Sequence, residues 1–199
     1  MNNALIDSIK KRRTQYCLGK ILPLSQEDTE LLIKEAVRLS PSSFNSQSSR
    51  VVILFGHQSD KLWSITKETL RKMLPAEAFP ATEAKMSAFA AGAGTVLFYE
   101  DQDTVKELQA KFAAYAHNFP IWSEQSSGMA QFAVWSALSN AKIGASLQHY
   151  NPLIDAEVAA TWSIPSSWTL RAQMPFGSNE QGFAEKSFIP DEARFRVYG

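Results

Sequence analysis

Between Ser126 and Ile143 the sequence is apolar on nearly every side of a helix, and no other stretch constrains this chain as strongly. Met129, Ala130, Phe132, Ala133, Val134, Trp135, Ala137, Leu138 and Ala141 leave almost no polar face. A helix that is apolar all round is buried all round. In a chain of 199 residues that predicts a central helix, covered in part by a second subunit. Charge points the same way. Twenty Lys and Arg balance twenty Asp and Glu, so the formal net charge is zero. A neutral surface lacks the positive field that general nucleic-acid or polybasic membrane binding needs. It also protects poorly against self-association.

No apolar run approaches the roughly 20 residues of a membrane-spanning helix, and Met1 to Arg13 lacks the apolar centre of a signal peptide. The expectation is a cytoplasmic, soluble protein that binds neither nucleic acid nor membrane. Cys17 is the only cysteine, which excludes an internal disulfide and a thiolate zinc cluster. No repeat, linker or composition shift marks a boundary, so residues 1–199 are expected to form a single domain.

Ala4 to Arg13 reads as a helix ending in Lys10, Lys11, Arg12 and Arg13, cations that suit a helix C-terminus. Ser25, with Asp28 three residues on, opens a second helix that ends at Ser40-Pro41. Val51 to Phe55 predicts a buried strand. Asp60 is placed to cap a helix carrying Leu62, Trp63, Ile65 and Leu70, and Ala81 to Ala91 forms another. Gly92 and Gly94 release the chain into a strand from Thr95 to Tyr99. Asp103 opens a helix expected to stop before Pro120. Beyond the central helix, Ala145 to His149 and Trp168 to Met174 read as strands. Asn151-Pro152 reads as a helix cap with proline at the first position. The tail, Phe188 to Gly199, has no evident partner in the sequence. Helices and strands alternate irregularly, which predicts an α+β fold with a central mixed sheet flanked by helices.

Several chemistries are excluded by spacing. Gly92-Ala93-Gly94 lies between helix and strand, the reverse of a dinucleotide fingerprint. His57, His117 and His149 have no companion at metal-ligand spacing, so no metal is expected. Ser146 lacks the glycine of a nucleophile elbow. Three polar clusters remain. Lys11-Arg12-Arg13-Thr14-Gln15-Tyr16 offers guanidinium forks beside a hydroxyl, suited to a phosphate; a solvated helix end is the plainer alternative. Ser40 to Arg50 is denser in amides and hydroxyls than a turn needs, and Asn45 and Gln47 can each donate and accept to a heterocycle edge; a Ser-rich capping loop is the alternative. Gln148-His149-Tyr150-Asn151 closes a strand, where ligands often bind; a hydrogen-bonded core histidine is the alternative for His149.

In order and spacing these clusters carry a resemblance. Arg12-Arg13-Thr14 after an N-terminal helix, Pro41-Ser42-Ser43-Phe44-Asn45-Ser46-Gln47 before a strand, and Gly144-Ala145-Ser146-Leu147-Gln148-His149-Tyr150-Asn151-Pro152 resemble the nitroreductase family of FMN enzymes. The likeness spans essentially the whole chain and is greatest to the short fungal and bacterial branch with the yeast-type members. It implies a nitroreductase-like fold in a homodimer, with flavin sites at the subunit interface and the C-terminal tail exchanged between copies. By that resemblance Arg12, Arg13, Thr14 and Lys186 hold the FMN phosphate. Ser42, Ser43, Asn45 and Gln47 meet the ribityl chain and pyrimidine edge, and Gln148, His149 and Tyr150 run along the ring system. Two positions depart from the family: Phe188 stands where many relatives carry a second basic residue, and Ser48 where they carry proline.

The implied activity is a ping-pong oxidoreductase. NADH or NADPH donates a hydride to flavin N5, and a nitroaromatic or quinone-type acceptor takes it from there. No side chain is expected to act as a catalytic residue, because the hydride chemistry belongs to the flavin. Phe44, Tyr115, Phe119 and Trp122 are the candidate wall against which small flat acceptors stack, and each also fits plain core. Two readings compete. One is a flavin-binding or redox-sensing module of the same fold with little turnover; the other is a thiol peroxidase using Cys17.

Overall fold

A computed structural model describes residues 3–199. Asn3 caps α1 (Ala4–Lys11), its side-chain oxygen accepting from the Leu5 and Ile6 N–H groups at 3.0 and 3.1 Å. The chain then forms the two-residue strand β1 (Leu18–Gly19). Ser25 caps α2 (Gln26–Arg38), accepting from the Asp28 N–H at 3.0 Å as its spacing predicts. After β2 (Ser49–Phe55) come α3 (His57–Arg71), α4 (Phe79–Ala90), β3 (Gly94–Asp101) and α5 (Gln102–Lys111). A 3-10 turn leads into α6 (Phe119–Asn140), followed by β4 (Gly144–Ala145), α7 (Asp155–Trp162), β5 (Trp168–Asn179) and the short α8 (Asp191–Arg194).

The sheet runs β1-β5-β3-β2, with β4 also pairing with β5. It was expected to be mixed. Instead every ladder between its strands is antiparallel, and the parallel component is confined to the Thr14–Ala145 bridge. Side-chain alternation then divides the core into two layers. Val96 and Phe98 of β3 pack with Ile33 of α2 and Val134 and Leu138 of α6. Leu97 and Tyr99 pack with Leu62 and Trp63 of α3, Met86 and Phe89 of α4, and Val158 of α7. The fold is α+β, with helices on both faces of the sheet.

Several boundaries move for local reasons. Pro120 does not stop a helix; it sits in the first turn of α6, where its missing N–H costs nothing. The central helix therefore starts at Phe119 rather than Ser126, and α5 ends at Lys111. Asp60 does not cap α3, which begins three residues earlier behind Gly56; Asp60 accepts from Lys20 Nζ instead. Asn151-Pro152 lies in a turn, and α7 begins at Asp155. Of the strand expected from Ala145 to His149, only Gly144–Ala145 and a bridge from Gln148 to Gln173 form. Among the described residues no helix is long and apolar enough to cross a membrane.

One face of α6 stays uncovered. Met129 and Phe132 remain 39% and 40% exposed, and a side chain added at Gly128 would meet only open space. The helix that dominates the sequence is thus buried against the sheet but open on an apolar stripe.

Candidate functional site

The basic segment after α1 lines an open cleft of about 800 Å³ together with residues of the C-terminal segment. Arg12, Arg13, Thr14, Gln15 and Tyr16 form one wall, and Gln181 to Ser187 the other. Sequence-distant partners fix this arrangement. Gln15 is buried, donates from Nε2 to the Gln181 carbonyl at 2.6 Å, and accepts from the Cys17 N–H at 3.0 Å. The Gln15 N–H donates to the Ala145 carbonyl at 2.9 Å. The Arg13 guanidinium donates to the Ala184 carbonyl and lies over the Phe183 ring. Arg12 lies 4.4 Å above the Trp135 ring of α6.

The cleft is rich in uncompensated donors. Among the described residues neither arginine nor Lys186 has a carboxylate within salt-bridge distance, and Glu185 is the one acidic residue lining the cleft. Burial, then the charge of Arg13, lowers the pKa of Arg12. Both causes act against the cation, and an anion between the two guanidinium groups would reverse the second.

The strand-end cluster lies beside this wall through the Thr14–Ala145 bridge. Gln148 is buried, exchanging backbone hydrogen bonds with Gln173 at 2.8 and 2.9 Å and donating to Ser146 Oγ at 3.1 Å. His149 is exposed. Tyr150 packs edge-on against Trp63, and its N–H donates to Gln173 Oε1 at 2.7 Å. Burial, aided by nearby Tyr16, pushes the Tyr150 phenol up to about 12.

The Ser-rich loop lies elsewhere. Ser42 and Gln47 line a second cleft of about 220 Å³ with Ser49, Arg50 and, from α6, Ser126 and Ala130. Trp135, which carries Arg12, stands five positions from Ala130 and nine from Ser126, hence about 7 to 13 Å along the helix axis. Among the described residues no hydrogen bond joins this loop to the arginines. Ser43 is half-buried and Asn45 exposed. Phe44, Asn45 and Gln47 hold φ of 56°, 50° and 50°, a left-handed backbone that side chains disfavour. Ser42 Oγ accepts from the Gln47 N–H at 2.9 Å, closing the turn.

The four aromatic candidates do converge. Phe44 packs on Phe119, Trp122 and Tyr115 with ring centroids 5.3, 5.9 and 6.3 Å apart, and is closest to Phe112 at 4.8 Å. Phe119 is buried, whereas Phe44 and Tyr115 are half exposed, so the cluster has a core and an open edge. Sequence reasoning placed Phe112 only in a helix. It included Gln15 in the basic cluster without a role and missed Gln173, the second buried amide that ties the clusters together; a glutamine between Ala172 and Met174 in a strand is the signal that points to it.

Three comparisons bear on this arrangement. The sequence profile of the nitroreductase family matches residues 9–178. The nitroreductase FRM2 of Saccharomyces cerevisiae is 32% identical over 189 residues, 92% of each chain. The nitroreductase CinD of Lactococcus lactis, solved with nicotinic acid, superposes with a TM-score of 0.92 at 49% identity, over 98% of this chain and all of its own. Further complexes of CinD hold chloramphenicol and 4-nitrophenol. A nitroreductase of Desulfitobacterium hafniense with bound FMN shares the fold at a TM-score of 0.73 and 13% identity, each chain fully covered.

Proposed function

The chain belongs to the nitroreductase family, and we propose that it is an FMN-dependent oxidoreductase moving electrons from NADH or NADPH to nitroaromatic or quinone-type acceptors. The observation that carries this reading is the donor set of the arginine cleft. Arg12, Arg13, Thr14 and Lys186 face one space and lack carboxylate partners among the described residues, as a phosphate dianion requires. These residues would hold the FMN phosphate. Gln148, His149 and Tyr150, joined to the same wall, would lie along the ring system.

Ser42, Ser43, Asn45 and Gln47 would supply the polar contacts to the ribityl chain and pyrimidine edge. Within one copy Ser42 and Gln47 line a different cleft, so this loop would reach the flavin of the other copy in a homodimer. Three unpartnered features support that dimer. The Met129–Phe132 stripe of α6 is open. Edge strand β2 presents Val51, Ile53 and Phe55 to an open groove beside α2. The tail residues Phe188, Phe195, Val197 and Tyr198 are exposed, Val197 by 91%. Exchange of the tail onto the neighbouring copy would cover apolar surface on both sides.

Bound there, FMN would supply the hydride chemistry. The chain's part is positional. Lys186 and the arginines anchor the charged end, Tyr150 and Gln148 limit water at the ring, and the Phe44 cluster offers flat acceptors a stacking edge. The CinD complexes with 4-nitrophenol and chloramphenicol support nitroaromatic acceptors.

The purified protein is expected to be yellow, to bleach on adding NADH or NADPH, and to recover its absorbance with a quinone. A yellow protein that neither nucleotide bleaches would favour the low-turnover flavin module. A colourless protein, still colourless after incubation with FMN, would overturn the reading.

A further inference from the structure

Glu100, near the end of β3, is fully buried. It faces two hydroxyls, one just before β2 and one at its first residue: Ser48 Oγ donates to Oε2 at 2.6 Å and Ser49 Oγ to Oε1 at 2.5 Å. Its neighbour continues the contact. The Asp101 N–H donates to the Ser48 carbonyl at 3.0 Å, and Asp101 Oδ2 pairs with Arg50 Nη2 at 2.9 Å. Arg50 in turn donates to the Gln47 carbonyl. Two adjacent carboxylates of β3 therefore grip Ser48, Ser49 and Arg50, the three residues that follow the left-handed turn at Phe44, Asn45 and Gln47. Arg171 and Glu124, themselves ion-paired at 2.5 Å, are the charged groups nearest to Glu100 from β5 and α6.

A buried carboxylate is a costly way to satisfy two serines, which water could serve at the surface. Its effect is to fix the loop's exit from a backbone conformation the loop disfavours. We propose that Glu100 is a positioning residue: through Ser48 and Ser49, and with the Asp101–Arg50 pair, it locks the Ser42–Gln47 loop and thereby sets flavin affinity and acceptor binding while touching neither. The clamp follows from the hydrogen bonds; its effect on flavin rests on the function proposed above.

The test compares Glu100→Ala, Glu100→Gln and Ser48→Ala with Thr66→Val, which removes a buried hydroxyl on α3 bonded to the Leu62 carbonyl at 2.9 Å. Two readouts are taken: hydrogen–deuterium exchange of peptides spanning residues 40–50, and FMN affinity by fluorescence. Loss of both serine hydrogen bonds predicts about tenfold faster loop exchange and about tenfold weaker FMN binding in Glu100→Ala. Glu100→Gln recovers part of both, since its amide oxygen still accepts one hydroxyl. The acceptor's KM rises more than kcat falls. Thr66→Val lowers stability without moving the loop. Loop exchange unchanged in Glu100→Ala, or raised equally in Thr66→Val, overturns the clamp. If Glu100→Ala does not fold, Ser48→Ala and Asp101→Asn decide by the same exchange readout. A wild-type protein that binds no FMN sinks the proposed function, while the exchange result still decides the clamp.

Discussion

Arg12 carries a charge that the described chain leaves without an acidic partner. Its guanidinium rests on the Trp135 ring and beside Arg13, and both burial and that neighbour disfavour the cation. Arg12→Ala should weaken FMN retention by about tenfold or more, whereas Lys72→Ala on the exposed end of α3 should leave it unchanged. Equilibrium dialysis of both variants checks this, and equal retention counts against the phosphate role. Glu100 gives a prediction in pH. Burial raises its pKa, only partly offset by the Ser48 and Ser49 hydroxyls. Its stabilising contribution is then complete below the ordinary carboxylate range and declines as pH rises through the elevated folded-state value. Wild type should lose stability relative to Glu100→Gln as denaturation is repeated from about pH 4 upward to pH 8. A constant difference would contradict the shift. That Arg12, Arg13 and Thr14 belong together was legible, because cations and a hydroxyl stand side by side in the sequence, and they do line one cleft. Glu100 was not: a glutamate after an apolar strand reads as a solvated end until the opposite strand supplies its partners.

At the scale of elements, α6 explains most of what the chain can do. Val134 and Leu138 are fully buried against the sheet, so Leu138→Ala should cost about 2–5 kcal/mol in denaturant unfolding. Gly177 of β5 works differently. A Cβ there would collide with the Gly19 carbonyl of β1 and lie 3.0 Å from the Ala93 nitrogen. Gly177→Ala should detach β1 and loosen the neighbouring Arg12–Tyr16 wall, seen as faster hydrogen exchange of residues 12–19 with β2 and β3 still protected. The helices and long strands were largely readable from apolar spacing. Their directions and ends were not. Nothing in Val51 to Phe55 says whether its neighbour runs parallel or antiparallel. Pro120 fits equally the end of one helix and the first turn of the next, and the packing of Phe119 into the core decides for the second.

At the scale of the whole molecule, the sequence's apolar excess has become specific surfaces: the Met129–Phe132 stripe, the β2 edge and an unpaired tail. Truncation after residue 187 should weaken self-association, read as a shift toward monomer in light scattering on dilution. The three polar clusters were legible as residues, but their division was not. Spacing along the chain does not reveal that Arg12 and the Ser-rich loop meet different stretches of one helix. In the proposed dimer a flavin is held between the arginine wall of one copy and the loop of another. Co-expression of two complementary variants decides it. One chain carries Arg12→Ala with Arg13→Ala, the other Ser42→Ala with Asn45→Ala, and each alone should retain little FMN. A mixed two-fold dimer has one site built from both intact halves, so random pairing predicts recovery of about a quarter of wild-type flavin. No recovery, with mixed dimers verified by mass, would place the whole site within a single chain and contradict the claim.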